Sequence, residues 1–506
     1  MSRENTSTVV VLGGGHNGLT AAVLLAKAGR KVVVLEARET FGGLAARETF
    51  HPGYAAPGLH HDTRGVRAAL VEELGLARHG LAFRKQPTKI HLARAGSEPI
   101  VLDGLHASVS GVAQAEVERF AQWRGFLGRV GPALRAALDR PAPEPAGELL
   151  PLLEAGLRVR RLGRADMLEL LRILPMCAAD WMRDALTDER LRAGLALPAV
   201  EGSFSGPWSA GSAANLLFRE VTSGNEIEGG AAALVDALVK AAKGFGAELR
   251  HGAPVRSISL RAGRVAGVVL ESGEELACDS VLATCDPKQV FLDLIGAERL
   301  PVDLAQDLER VRARGTTAVV RLALSAPLAL ADGTAVEALR TGESLDAIER
   351  AYDAAKYRTV ASEPVLDVRV FTGKPHAPSG HSVATALVHA AAFAREGGWD
   401  DDAREKLGDD AVRVLSSACP GLEAKLVARE VLTPADLSRR YRLTGGHIHH
   451  GEHALDQLLF MRPSTATARY ATPIGGLFLG GSGSHPGGGL TCAPGALAAK
   501  AWLASR

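Results

Sequence analysis

Five cysteines, Cys177, Cys278, Cys285, Cys419 and Cys492, are spread through 506 residues, and no two form a C-x-x-C pair. That spacing argues against a redox-active dithiol and a zinc knuckle, and predicts reduced, buried thiols. Neither sign of charge is in excess: 58 Lys and Arg against 57 Asp and Glu give a net charge of +1. The balance argues against a nucleic-acid partner held by bulk electrostatics. The chain has no run of 18 apolar residues, and no charged-then-apolar leader precedes residue 9, so the expectation is a cytoplasmic protein. What remains is 46% hydrophobic and 23% charged, the composition of a folded globular chain, and its length exceeds one ordinary core.

The most informative stretch is "VVVLGGGHNGLTAAVLLAKAGRKVVVLEA", residues 9–37. Residues 8–12 are consecutively apolar and β-branched, as a strand buried on both faces requires, and residues 16–29 carry Ala and Leu at helical spacing. Gly13, Gly15 and Gly18 between them fit G-x-G-x-x-G. The first allows the tight turn, the second lets a pyrophosphate approach the backbone, and the third lets helix and strand pack closely. Phosphates would then meet a helix N-terminus. Residues 31–35 form the second strand, and Glu36 follows it, placed to accept hydrogen bonds from a ribose diol and to repel a 2′-phosphate. This predicts a dinucleotide site and leaves FAD and NAD open.

Downstream, "ETFGGLAARETFHPGY" ends in a turn at Pro52 and Gly53. Residues 112–199 read as a helical block, broken by the Pro-rich linker "RPAPEPAG" at 140–147. Residues 224–287 give a helix, short β-rich runs and an apolar strand at 280–284. A second mixed region spans about 300–440. The chain closes with a strand at 477–479, a glycine loop and a helix from about Pro494.

"EARETFGG", with Gly42 and Gly43 after the second strand, resembles the FAD-binding pattern of the phytoene desaturase and amine oxidase superfamily. "LFLGGSGSHPGGGLTCAPG" resembles the flavin-proximal segment of its phytoene dehydrogenase-like branch. "LTGGHIHHGEHALDQLLFMRP" at 443–463 is similar to the preceding block in the subgroup labelled pyridine nucleotide-disulphide oxidoreductase domain type 2. The resemblance implies non-covalent FAD. It assigns the ADP half to Gly13, Gly15, Gly18, Glu36, Gly42 and Gly43, the adenine contact to Val255, and the ribityl chain and ring to residues 481–490, with Gly481, Ser482, Gly489 and Leu490 in contact. Two positions depart from the amine oxidase pattern: Leu44 stands where Arg is usual, and Ser482 where Asp is usual.

Other constellations are weighed by their chemistry. His447, His449, His450 and His453 lack the helix-turn or hairpin framework of a metal site, so the expectation is no metal. His61, with His60 in "GLHHD", and His485, in the glycine loop, are candidate proton-transfer groups. Trp208 belongs to "EGSFSGPWSAGSAANLLF", which holds three of only 23 Phe, Trp and Tyr residues and is a candidate wall of the substrate pocket. Residues 157–171, "LRVRRLGRADMLELL", read as a basic amphipathic helix that could contact a membrane peripherally.

These readings predict an α/β protein with a Rossmann-type FAD-binding domain made of residues 1–95, 225–295 and 441–506. An interleaved α+β substrate domain takes 96–224, largely helical, and 296–440. The expected activity is FAD-dependent removal of hydride from a C–H bond of a largely apolar small molecule, leaving a double bond. A redox-neutral isomerase using reduced FAD and a non-catalytic flavin-binding scaffold are the alternatives. No residue pattern designates an electron acceptor.

Overall fold

The computed structural model of the chain describes residues 8–92, 96–143 and 149–506. The first seven residues, on which the reading of no leader rests, and residues 144–147 of the Pro-rich linker lie outside the described residues.

The opening strand β1 (Thr8–Leu12) and the strand β2 (Lys31–Leu35) have the predicted bounds. Between them α1 (His16–Lys27) stops two residues short of the predicted end, where the chain turns through Ala28 and Gly29. Both strands belong to a five-stranded sheet in the order Leu477–Leu479, Ser280–Ala283, β1, β2, Glu248–Arg250, every pair parallel. The register sets Leu12 beside both Leu35 and Ala283. Three strands therefore end level, and Gly13, Glu36 and Thr284 gather at their carboxyl edge, where open α/β sheets bind ligands. α1 covers one face together with Gly230–Gly244 and Ala493–Ala504. A hairpin of Glu48–His51 and Tyr54–Ala56 turns at Pro52 and Gly53 as expected.

The second large sheet has eight strands, in the order Leu426–Leu432, Ala318–Leu324, Ser382–Val388, Leu366–Thr372, Ala338–Arg340, Lys89–Leu92, Ile100–Asp103, Val109–Ser110. All its pairs are antiparallel except Ala338–Arg340 with Lys89–Leu92. It takes Lys89–Leu92 ahead of the expected junction at 95. Helices from the 114–222 region pack on it around buried Phe120, Trp123 and Trp181.

One expectation is corrected here. Residues 157–171 are not one helix but the end of Leu149–Arg160 and most of Arg164–Ile173, because Gly163 adopts φ +86° between them. A left-handed glycine cannot continue a right-handed helix. No helix among the described residues is long and apolar enough to cross a membrane.

Candidate active site

Gly13 leaves β1 at φ +98°, and the Thr284 hydroxyl lies 3.1 Å from the Leu12 carbonyl and 3.0 Å from that of Gly13. The end of Ser280–Ala283 thereby braces the turn. A Cβ on Gly18 would stand 1.9 Å from the Gly13 carbonyl oxygen, so this glycine answers to helix–strand packing. Gly15 is different. A Cβ there would meet nothing nearer than the Gly43 Cα at 4.0 Å, yet the residue lines a cavity of about 930 Å³. Space beside a backbone that no protein atom fills suits a close-lying ligand.

Gly13, Glu36, Gly43, Val255 and Ser482 line the same cavity. The Glu36 carboxylate accepts from the Gly14 amide at 2.8 Å and the Arg38 amide at 2.9 Å, which fixes its orientation and leaves further lone pairs free. Gly42 and Gly481 support this wall without lining it. A Cβ on Gly42 would meet Ala46 and Val235 at 2.9 Å, and one on Gly481 would meet the Thr284 carbonyl oxygen at 2.4 Å.

A second cavity of about 1090 Å³ adjoins the first, and His60 lines both. Gly489 and Leu490 form part of its wall, with apolar Leu138, Phe218 and Leu459. His60 is 4% exposed, and its Nε2 is buried without a hydrogen-bond partner. Its ring meets His16 edge-on at 6.0 Å and lies parallel to His449 at 6.1 Å; His449 in turn stacks on His453 at 4.7 Å. Tautomers of the last two follow from their partners. His449 Nε2 donates to the Glu201 carbonyl at 3.2 Å, whereas His453 Nε2 accepts from the Gly488 amide at 3.1 Å. Burial, then neighbouring charge, depresses His60, His449 and His453 well below the ordinary imidazole value, so the file of rings is uncharged at neutral pH.

The second cavity also has a charged wall. Arg219 bridges Asp62 at 3.0 Å and Glu201 at 2.8 Å, and Arg64 grips Asp62 through two contacts of 3.0 and 2.9 Å. Burial works against the Asp62 carboxylate, but Arg64 and Arg219 outweigh it and hold the acid ionised well below its usual range. Behind both cavities Arg462, 2% exposed, donates to the carbonyls of His449, Gly451, Glu452, Gln457 and Ser482, tying the histidine segment to the terminal glycine loop.

Three sequence-derived candidates lie elsewhere. His61 lines neither cavity. Its Nε2 stands 3.6 Å from Asp367 on the eight-stranded sheet, because consecutive residues of an extended segment point to opposite sides. His485 is turned away from the cavities, its Nε2 donating to the Arg140 carbonyl at 3.0 Å, which leaves it a part in shaping the loop. Trp208 is 42% exposed under the Arg183 guanidinium, 4.1 Å from its ring, and Phe204 packs on Tyr352. Of that aromatic cluster only Phe218 reaches the cavity. The sequence offered His60 only beside His61, without separating the two, and gave no sign of the Asp62–Arg219–Glu201 wall. No local spacing announces that Asp62 meets groups more than a hundred residues away. Among the described residues, no cluster of three or more His, Cys, Asp or Glu is arranged to hold a metal ion.

Comparisons with known proteins bear on the family and the fold. The model of the family "Flavin containing amine oxidoreductase" matches residues 18–499. The rat pyridine nucleotide-disulfide oxidoreductase domain-containing protein 2 is 29% identical over 97% of this chain and 92% of its own. A hydroxyneurosporene desaturase of Cereibacter sphaeroides is 32% identical over 58% of this chain and 59% of its own. Cyclohexylamine oxidase from Brevibacterium oxydans shares the fold with a TM-score of 0.60 at 14% identity, over 99% of this chain and 100% of its own.

Proposed function

The chain belongs to the flavin-containing amine oxidoreductases, and from that premise we propose that it is a dehydrogenase that removes hydride from a C–H bond of a largely apolar substrate, leaving a double bond. The cofactor is FAD. When bound it supplies a two-electron acceptor. In this reading Gly13 and Gly15 admit the pyrophosphate, Glu36 accepts from the adenosine ribose and Val255 meets the adenine. Gly43 and Ser482 hold the middle of the cofactor, and Gly489 and Leu490 lie beside its ring. Leu138, Phe218 and Leu459 exclude water from the apolar body of the substrate, and the Asp62–Arg219–Glu201 wall orients a polar end of it. His60 takes up the proton that leaves the neighbouring carbon.

The observation that carries this reading is the position of His60, an uncharged imidazole with an unpartnered nitrogen, in the wall shared by the two cavities. Its test is anaerobic mixing of the FAD-loaded protein with hydroxyneurosporene and, separately, with cyclohexylamine. Bleaching of the flavin by the polyene, with a product lighter by one hydrogen molecule, is expected. Bleaching by the amine alone would overturn the proposed substrate class, and a product of unchanged mass would make the protein an isomerase.

A further inference from the structure

Of the eleven large hydrophobic side chains exposed among the described residues, four fall within 19 positions: Leu153, Leu157, Leu168 and Leu171, each about half or more exposed. They sit on Leu149–Arg160 and Arg164–Ile173, which pack on the long helix Gln114–Leu138 and against each other. Leu170 and Ile173 face inward and are buried, so the four leucines are not part of that packing.

Their spacing forms a pattern. Leu153 and Leu157 are one turn apart on one helix, with Arg160 and Arg161 a turn further on. Arg164 leads Leu168 and Leu171 in the same way on the next. Three arginines thus flank the Gly163 turn with leucines on either side. Among the described residues no carboxylate pairs with any of the three, whereas Arg158 is held by Glu154 and Arg172 by Glu169 and Asp184. The same corner adjoins the second cavity. Leu138 lines that cavity, Arg67 of its wall pairs with Asp139 at 3.1 Å, and Arg140 pairs with Glu154 at 3.2 Å.

We propose that this face docks on an anionic lipid surface, setting the wall of the second cavity against the bilayer. The leucines enter the acyl boundary, and Arg160, Arg161 and Arg164 keep their heads among the phosphates while their stems cover apolar surface. The unpaired positive charge is what favours a lipid surface over a second copy of this chain, which would bring the same arginines face to face. The proposal rests on this surface alone and stands apart from the catalytic reading.

The test is co-sedimentation of the full FAD-loaded chain with vesicles of phosphatidylcholine, and of phosphatidylcholine containing about one third phosphatidylglycerol. The expected result is binding to the anionic vesicles only, weakening as salt is raised. Replacing Arg160, Arg161 and Arg164 together by Glu should lower that binding about 100-fold or more. Leu157→Glu combined with Leu168→Glu should also weaken it, with FAD content and melting temperature unchanged in both variants. Failure of the native chain to bind anionic vesicles at low salt, or equal binding of either folded variant, overturns the proposal. So does a concentration-dependent dimer that Leu157→Glu dissociates, which would give the face to a second copy.

Discussion

The rings of His60 and His449 lie 6.1 Å apart and within 9° of parallel where the two cavities meet. His60→Phe keeps a flat ring between His16 and His449 while removing both nitrogens. The variant should fold and bind FAD like the parent. Its rate of flavin reduction, with whichever compound bleaches the parent, should fall by roughly 10²- to 10⁴-fold, the range for loss of a general base. Stopped-flow absorbance reads both, and an unchanged rate would move the proton acceptor elsewhere.

Gly15 and Gly18 should respond oppositely to alanine. A Cβ on Gly18 collides with the Gly13 carbonyl at 1.9 Å, so Gly18→Ala must displace the turn and lower the melting temperature of the protein even without cofactor. On Gly15 the added methyl enters the first cavity and meets no protein atom closer than 4.0 Å. Gly15→Ala should therefore leave the melting temperature of the cofactor-free protein near that of the parent and weaken FAD binding. Equal destabilisation by both would remove the argument that Gly15 faces a ligand.

Glu36→Ala should weaken FAD by roughly 10- to 150-fold, as expected for loss of a charged hydrogen bond of about 1.5 to 3 kcal/mol. The carboxylate also receives the Gly14 and Arg38 amides, so the variant leaves two donors without their acceptor and should melt earlier as well. Titration followed by flavin fluorescence, with a melting curve of the cofactor-free protein, separates the two losses. An FAD affinity equal to the parent's would take Glu36 away from the ribose.

How much of this was readable in the chain depends on whether the cause is local. β1, β2 and the turn between them follow from consecutive apolar residues and glycine spacing, and their bounds appear in the structure as read. The break at Gly163 had a local signal too, a glycine inside an apparent helix, which the run of arginines and leucines outweighed. The choice between His60 and His61 had none, because adjacent residues differ only in which way the backbone turns them. Trp208 illustrates the converse. An aromatic residue in an apolar stretch suggests a pocket, but its fate was decided by Arg183 and Glu349, which reach it from distant parts of the chain.

The buried histidines set the response to acid. His16, His61 and His485 are depressed to about 4 and His447 to about 3. Burial is the largest cause in each, reinforced at His16 by His450 and at His447 by Arg462, and opposed at His61 by Asp367. All four have folded values below the 6.5 of the unfolded chain, so the unfolded state binds more protons in between. Their contribution to stability is complete above about pH 6.5 and is lost as pH falls from there towards about 4. Each group therefore lowers stability as pH falls through that window, and the four act in the same direction. Thermal melts of the holoprotein should therefore decline already below about pH 6, well above the range in which carboxylates titrate. Release of FAD should accompany the decline, because His16 lines the first cavity and protonating His449 and His453 would set like charges on rings 4.7 Å apart beside the second. A melting temperature that stays level down to about pH 5 would mean that His16, His61, His447 and His485 are solvated or already charged in the folded protein.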